Sequence, residues 1–122
     1  APEAIGYINA HGTSTPMNDA GETAAVKLAF GAHASALAIS STKSMTGHLL
    51  GASGAVEAAF TALALRDGFL PATLHYAVPD KDCDLDVVPC TGRAAGIRAA
   101  MSNSLGFGGH NASIILKKWE GA

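Results

Sequence analysis

The stretch Ile5-Gly-Tyr-Ile-Asn9, followed by Ala10-His11-Gly12-Thr13-Ser14-Thr15-Pro16, sets the reading of this chain. Its first part is a short, continuous apolar run rich in β-formers, the pattern of a strand buried on both faces. Its second part is small, polar and closed by proline, so the chain leaves the sheet there in a loop. Asn18 or Asp19 can cap the segment that follows, in which Glu22, Ala24, Ala25, Val26, Leu28, Ala29 and Phe30 predict a helix closed by Gly31. A second strand is predicted over about 36–41, then a polar loop Thr42-Lys43-Ser-Met-Thr-Gly-His48. The run Ala55 to Arg66 reads as a helix apolar nearly all round and so buried on most sides. A loop-rich acidic stretch follows, with a short strand at Leu85-Asp-Val-Val88 and two closing strands, Ile97 to Asn103 and Ala112 to Lys118, joined by Gly106-Phe107-Gly108-Gly109. The order βαβα and then strands predicts an α/β fold: a mixed, mostly parallel sheet with flanking helices, its last strands antiparallel neighbours.

Composition agrees with one domain spanning residues 1–122. The chain has 48% hydrophobic and 15% charged residues, and at this length roughly two thirds of the unfolded surface can be buried. A formal charge of -2 lacks the concentrated basic face that nucleic acid or an anionic membrane demands. No run approaches the length of apolar sequence expected of a membrane span. Cys83 and Cys90 have no Cys-x-x-Cys spacing and read as free thiols of a reducing compartment. Together with the absence of a signal-like segment at Ala1-Pro-Glu-Ala4, this predicts a cytoplasmic protein. Lacking an initiator Met and entering a strand almost at once, the chain reads either as a processed protein or as a piece of a longer one.

Two histidines occupy equivalent topological places. His11 and His48 each lie in the loop after a predicted buried strand, and in parallel α/β sheets that edge is where ligands bind. Each alone reads as an ordinary half-buried histidine; their paired placement, with Gly12 and Gly47 beside them, favours a site. Glu57 is the one acid inside the apolar helix. A buried carboxylate needs a cation or hydrogen bonds, and Lys43 is the nearest candidate, although spacing equally allows a solvated lysine and an outward glutamate.

Other motifs fail residue by residue. Gly51-Ala-Ser53-Gly54-Ala55 lacks the last glycine of a nucleophile elbow and opens a helix from a loop where a strand is required. Gly106-Phe-Gly108-Gly109-His-Asn111 lacks the last glycine of a dinucleotide fingerprint and precedes a strand. Asp80, Asp82 and Asp84 begin like a calcium loop, but Leu85 and Thr91 stand where Gly and Glu are needed. No spacing suits zinc, so no metal is expected.

Taken together, His11-Gly-Thr-Ser-Thr15-Pro16, Lys43-Ser-Met-Thr-Gly-His48 and Asn103-Ser-Leu-Gly-Phe107-Gly-Gly-His-Asn111 resemble the carboxyl-terminal half of a β-ketoacyl-[acyl-carrier-protein] synthase, of the type II elongating class. The resemblance runs from about Ile5 to Trp119 and is supported by Leu63-Ala-Leu-Arg66, Pro71-Ala-Thr and Cys83-Asp-Leu-Asp86. It implies the carboxyl-terminal half of a thiolase-like fold, which in that family is built from two similar α/β halves and forms a homodimer. It also implies an acyltransferase of fatty acid synthesis that performs a decarboxylative Claisen condensation on malonyl-carrier protein.

In that family a cysteine in the amino-terminal half takes the acyl chain. Neither Cys83 nor Cys90 matches it, so this chain is expected to be inactive alone and to need the missing half. The resemblance gives His11 and His48 the decarboxylation half-reaction, where two N–H donors form an oxyanion hole and neutral rings serve best. Lys43 becomes catalytic and Glu57 its supporting partner behind His48. Thr13 and Thr15 become ligands of the phosphopantetheine arm, and Phe107 a gate beside the cysteine. The implied partner is acyl carrier protein, and no cofactor is implied beyond the phosphopantetheine that carries the substrate. Leu105 and His110 depart from the commonest residues, aromatic and threonine. The alternatives are a polyketide-type ketosynthase, a chain-length factor, against which the retained histidines and lysine count, or a non-catalytic thiolase-like binding module.

Overall fold

The computed structural model describes residues 1–119. Its centre is a four-stranded sheet in the order β2-β1-β5-β6, where β1 is Ile5–Asn9, β2 Ala38–Ser40, β5 Ala99–Gly106 and β6 His110–Lys117. β1 runs parallel to both β2 and β5, and β6 returns antiparallel to β5. The mixed, mostly parallel sheet read from the sequence is therefore the one observed. β1 is central and covered on both faces, which is why it reads as continuous apolar sequence. The register slips between Ile5 and Tyr7, so that Ile5 and Ile8 share one face although three residues apart. Gly6 sits at that slip, and a Cβ there would meet Ile97 Cγ2 at 2.8 Å.

Helix α1 (Pro16–Phe30) covers one face and α3 (Ser53–Asp67) the other. On the α1 side Ile5, Ile8, Val26, Leu37 and Ile39 form one core cluster. On the α3 side Tyr7, Ala64, Leu65, Leu70 and Val88 form a second. Tyr7 is fully buried, so its hydroxyl must find a partner. It donates to Ser40 Oγ at 2.9 Å, which donates onward to Pro71 O at 2.7 Å; burial pushes the phenol well above its ordinary pKa.

Several expectations are corrected. α1 begins at Pro16, a residue suited to the first helical position, and neither Asn18 nor Asp19 caps it. Asp19 instead accepts Ser14 N–H and Asn18 Nδ2–H at 3.2 and 3.0 Å. The loop after β2 contains a one-turn helix, α2 (Lys43–Thr46), ended by Gly47 at φ +71°. α3 starts two residues early and is not buried on most sides. Its buried stripe is Ser53, Glu57, Thr61, Ala64 and Leu65, while Ala55, Ala59, Ala62 and Leu63 are exposed. Residues 85–88 form no full strand; a single bridge joins Asp86 to Ala38, with Ile39 N–H donating to Asp86 O at 2.8 Å. A two-stranded ribbon of β3 (Phe69–Leu70) and β4 (Arg93–Ala94) was not foreseen. The closing hairpin is longer than read, because its loop shrinks to Phe107–Gly109, where Gly108 and Gly109 take φ of +77° and +81°.

Candidate active site

Parallel strands place their carboxyl ends on one edge of the sheet. β1 therefore delivers His11, β2 delivers Lys43 and His48, and β5 delivers Phe107 to the same rim. The two imidazoles meet there, with ring centroids 5.3 Å apart and planes at 85°. They come from residues 37 positions apart in sequence, so only the parallel β1–β2 pairing brings them together.

The turn that carries His11 is held by Glu22, a buried acid on the inward stripe of α1. Glu22 Oε1 accepts His11 N–H at 3.0 Å and Asn103 Nδ2–H at 3.1 Å, and Oε2 accepts Gly12 N–H at 3.0 Å. Asn103 Oδ1 in turn accepts Ser113 Oγ–H at 2.8 Å, tying β5 to β6. Burial, and next the charge of Lys43, hold the His11 imidazole below its ordinary pKa, with Glu22 pulling the other way. His11 Nδ1 is buried without a hydrogen-bond partner. A neutral ring is the form such a pocket tolerates.

His48 is held differently. Leu50 N–H donates to its Nδ1 at 3.0 Å, and Ser53 Oγ lies 3.0 Å from the same atom. A backbone N–H can only donate, so Nδ1 is an acceptor and the proton of the neutral ring lies on Nε2. Nε2 makes no hydrogen bond with the described residues and is free to donate outward. Leu50 reaches this position at φ +51°, a left-handed conformation that costs a branched residue about 1 kcal/mol or more.

Lys43 and Glu57 do pair, Nζ to Oε1 at 2.5 Å, with side chains only 4% and 3% exposed. The pair clamps the start of α2 to the first turns of α3 and so brackets the His48 loop between them. It makes no hydrogen bond to either imidazole among the described residues, and Glu57 Oε2 is left unpartnered. Asn9, at the end of β1, strengthens the clamp by donating to Thr42 Oγ1 at 3.2 Å and Glu57 O at 3.3 Å. Thr13 and Thr15 place their hydroxyls 2.9 Å apart on the rim. Phe107 stands fully exposed at the hairpin tip. Cys90 donates to Tyr76 O at 3.1 Å, and burial pushes the Cys83 thiol up, the opposite of an activated nucleophile. Among the described residues no three His, Cys, Asp or Glu gather as a metal site.

Sequence reasoning passed over Glu22, Asn9, Asn103 and Ser53. Two of them carry a legible signal: Asn9 is a polar residue closing an apolar strand, and Glu22 is an acid on the face of α1 shared with Val26. In the sequence Ser53 stands only in a failed nucleophile elbow, and Asn103 only within a longer motif.

An α/β half-domain with two imidazoles converging at the ends of its parallel strands has the fold of the ketosynthases. It superposes with TM-score 0.90 on a β-ketoacyl synthase from Burkholderia phymatum STM815, at 39% identity over 98% of this chain and 29% of that one. A chain of the complex between a type II polyketide synthase acyl-carrier protein and its ketosynthase bound to the hexaketide superposes at 0.96, with 38% identity over the same shares. Residues 1–77 match the family model for the β-ketoacyl synthase C-terminal domain, and the chain belongs to that family. It is 55% identical, over 98% of its length, to 3-oxoacyl-[acyl-carrier-protein] synthase 2 of Staphylococcus aureus strain COL, and spans 29% of that relative.

Proposed function

We propose that this chain supplies the two-histidine, decarboxylating part of a 3-oxoacyl-[acyl-carrier-protein] synthase, a condensing acyltransferase of fatty acid synthesis. The observation that carries the reading is the convergence of His11 and His48 at 5.3 Å, with Nε2 of His48 turned into an outward donor. Malonyl-carrier thioester loses CO2 as its C–C bond breaks. The electron pair passes to the thioester enolate, whose oxygen takes the charge. His48 Nε2–H and the neutral His11 ring face that oxygen and stabilise it. The enolate carbon then attacks the acyl thioester on a cysteine, and the cysteine leaves as thiolate. That cysteine comes from an amino-terminal portion, since burial pushes the Cys83 thiol up, Cys90 donates to the Tyr76 carbonyl, and the relatives are more than three times longer than this chain. Thr13 and Thr15 bind the phosphopantetheine arm of the substrate, and Phe107 gates the acyl side. Lys43 and Glu57 hold His48 in place by fixing α2 against α3. Acyl carrier protein delivers both substrates, the assembled enzyme is a homodimer of the cytoplasm, and the chemistry runs without a metal or further cofactor.

The test joins this chain to the amino-terminal half of a synthase that carries the cysteine. Malonyl-carrier protein should then be decarboxylated, and His48→Ala should lower that rate by about 100-fold or more, the scale of one lost oxyanion donor. The 122-residue chain alone should form no ketoacyl product; product from it would overturn the assignment. A polyketide ketosynthase is the second reading, favoured by the superposition on the hexaketide-bound enzyme. Reduction-independent successive condensations on one carrier would decide for it.

A further inference from the structure

Ser53 belongs to the Gly51-Ala-Ser-Gly54 motif that fails as a nucleophile elbow, yet its hydroxyl lies 3.0 Å from an imidazole nitrogen. A serine–histidine pair at that distance invites a hydrolase reading, and burial rejects it: Ser53 is 4% exposed, and its oxygen is already engaged by Leu49 N–H at 2.9 Å. What remains is its hydroxyl hydrogen, and the one acceptor offered to it is His48 Nδ1.

We infer that Ser53 is the positioning residue that locks His48, holding the Leu49–Leu50 turn with its oxygen while its hydroxyl hydrogen fixes the imidazole as an Nε2–H donor. The two halves of this device reinforce each other. Leu50 N–H reaches Nδ1 only because Leu50 sits at φ +51°, and its side chain, 79% exposed, contributes no packing to hold it there. The Leu49 N–H bond to Ser53 Oγ pins the peptide just before that turn. Ser53 is also the first residue of α3, four positions before Glu57. The imidazole is thereby referenced to the same helix that the Lys43–Glu57 pair clamps. A ring so held cannot turn over, because flipping would place a carbon or a second N–H against two donors. The lock stands on this geometry; its consequence for catalysis rests on the proposed decarboxylating role of His48.

Histidine-labelled 122-residue chain tests the lock directly by the nitrogen shifts of its rings. Wild type should show His48 as a single Nε2–H tautomer. Ser53→Ala should populate the Nδ1–H form and speed exchange of the Leu49 amide about 10-fold, while Ser53→Thr, which keeps the hydroxyl, restores both. His33, whose Nε2 contacts Ile5 O at 2.9 Å, reports that the fold is intact. Should the alanine chain fail to fold, Ser53→Cys, close in size and a weak donor, is expected to show the same two changes. An unchanged His48 pattern with unchanged Leu49 exchange in a folded Ser53→Ala or Ser53→Cys chain overturns the inference. In the joined protein, Ser53→Ala should lower kcat for decarboxylation about 10-fold with KM and acyl transfer to the cysteine unchanged. Loss of the lock in the spectra without any decarboxylation by wild type would sink the proposed function and leave the lock standing.

Discussion

At the scale of single residues, this site is built from buried polar groups whose partners are nearly all accounted for. Glu22 is the clearest, with three N–H donors on its two oxygens. Glu22→Gln keeps the shape but turns an amide NH2 toward donors that need an acceptor. It is expected to lower stability by about 2 kcal/mol in urea unfolding, the range for hydrogen bonds to a charged group. His11 makes a pH prediction. Its native pKa lies below its ordinary value of 6.5, so below pH 6.5 the unfolded chain binds the proton more readily than the native one. Its stabilising contribution is full above pH 6.5 and is lost as pH falls through the lowered native value. Urea midpoints measured down from pH 7 should fall across that window, and His11→Gln should flatten the fall.

At the scale of elements, α2 and α3 act as one unit through Lys43 and Glu57. Lys43→Met strands the Glu57 carboxylate, whose Oε2 already lacks a partner. A loss of about 3–5 kcal/mol is expected on thermal or urea unfolding. Adding Glu57→Leu to that variant should recover most of it, since the cost lies in the orphaned charge. The β1–α1 turn is equally particular: Gly12 has φ +39°, and a Cβ there would lie 2.5 Å from Ser41 Cβ. Gly12→Ala is expected to cost about 2 kcal/mol or more through strain and overpacking, read as a lowered urea midpoint with a broadened His11 resonance. The helices also show where periodicity misleads. α3 is so rich in alanine that its sequence marks no face, and its buried stripe carries serine, glutamate and threonine because those side chains meet the His48–Leu49 loop, α2 and the helix backbone respectively.

At the scale of the whole molecule, the described chain leaves apolar surface and one sheet edge open. β6 is an edge strand on which Ile114 and Ile115 are 47% and 62% exposed, and Leu50, Leu63 and Phe69 are exposed around α3. Such an edge is a template for pairing. The 122-residue chain is therefore expected to associate with rising concentration in sedimentation velocity, and Ile115→Lys to suppress that association. An unchanged sedimentation profile for Ile115→Lys would place the contact elsewhere. Much of this molecule was written locally. The apolar run 5–9, the loops after it and after 36–41, and the glycine-rich hairpin set the α/β order, the mostly parallel sheet and the loops after the strands in which His11, His48 and Phe107 lie. Those features depend on local steric and solvation preferences, which neighbouring residues carry with them. The convergence of two rings, the choice of Glu57 as partner of Lys43, and the use of Glu22 and Ser53 to hold the imidazole turns depended on tertiary packing. A buried polar group is satisfied by whatever folding brings within about 3 Å of it, and spacing along the chain does not contain that distance.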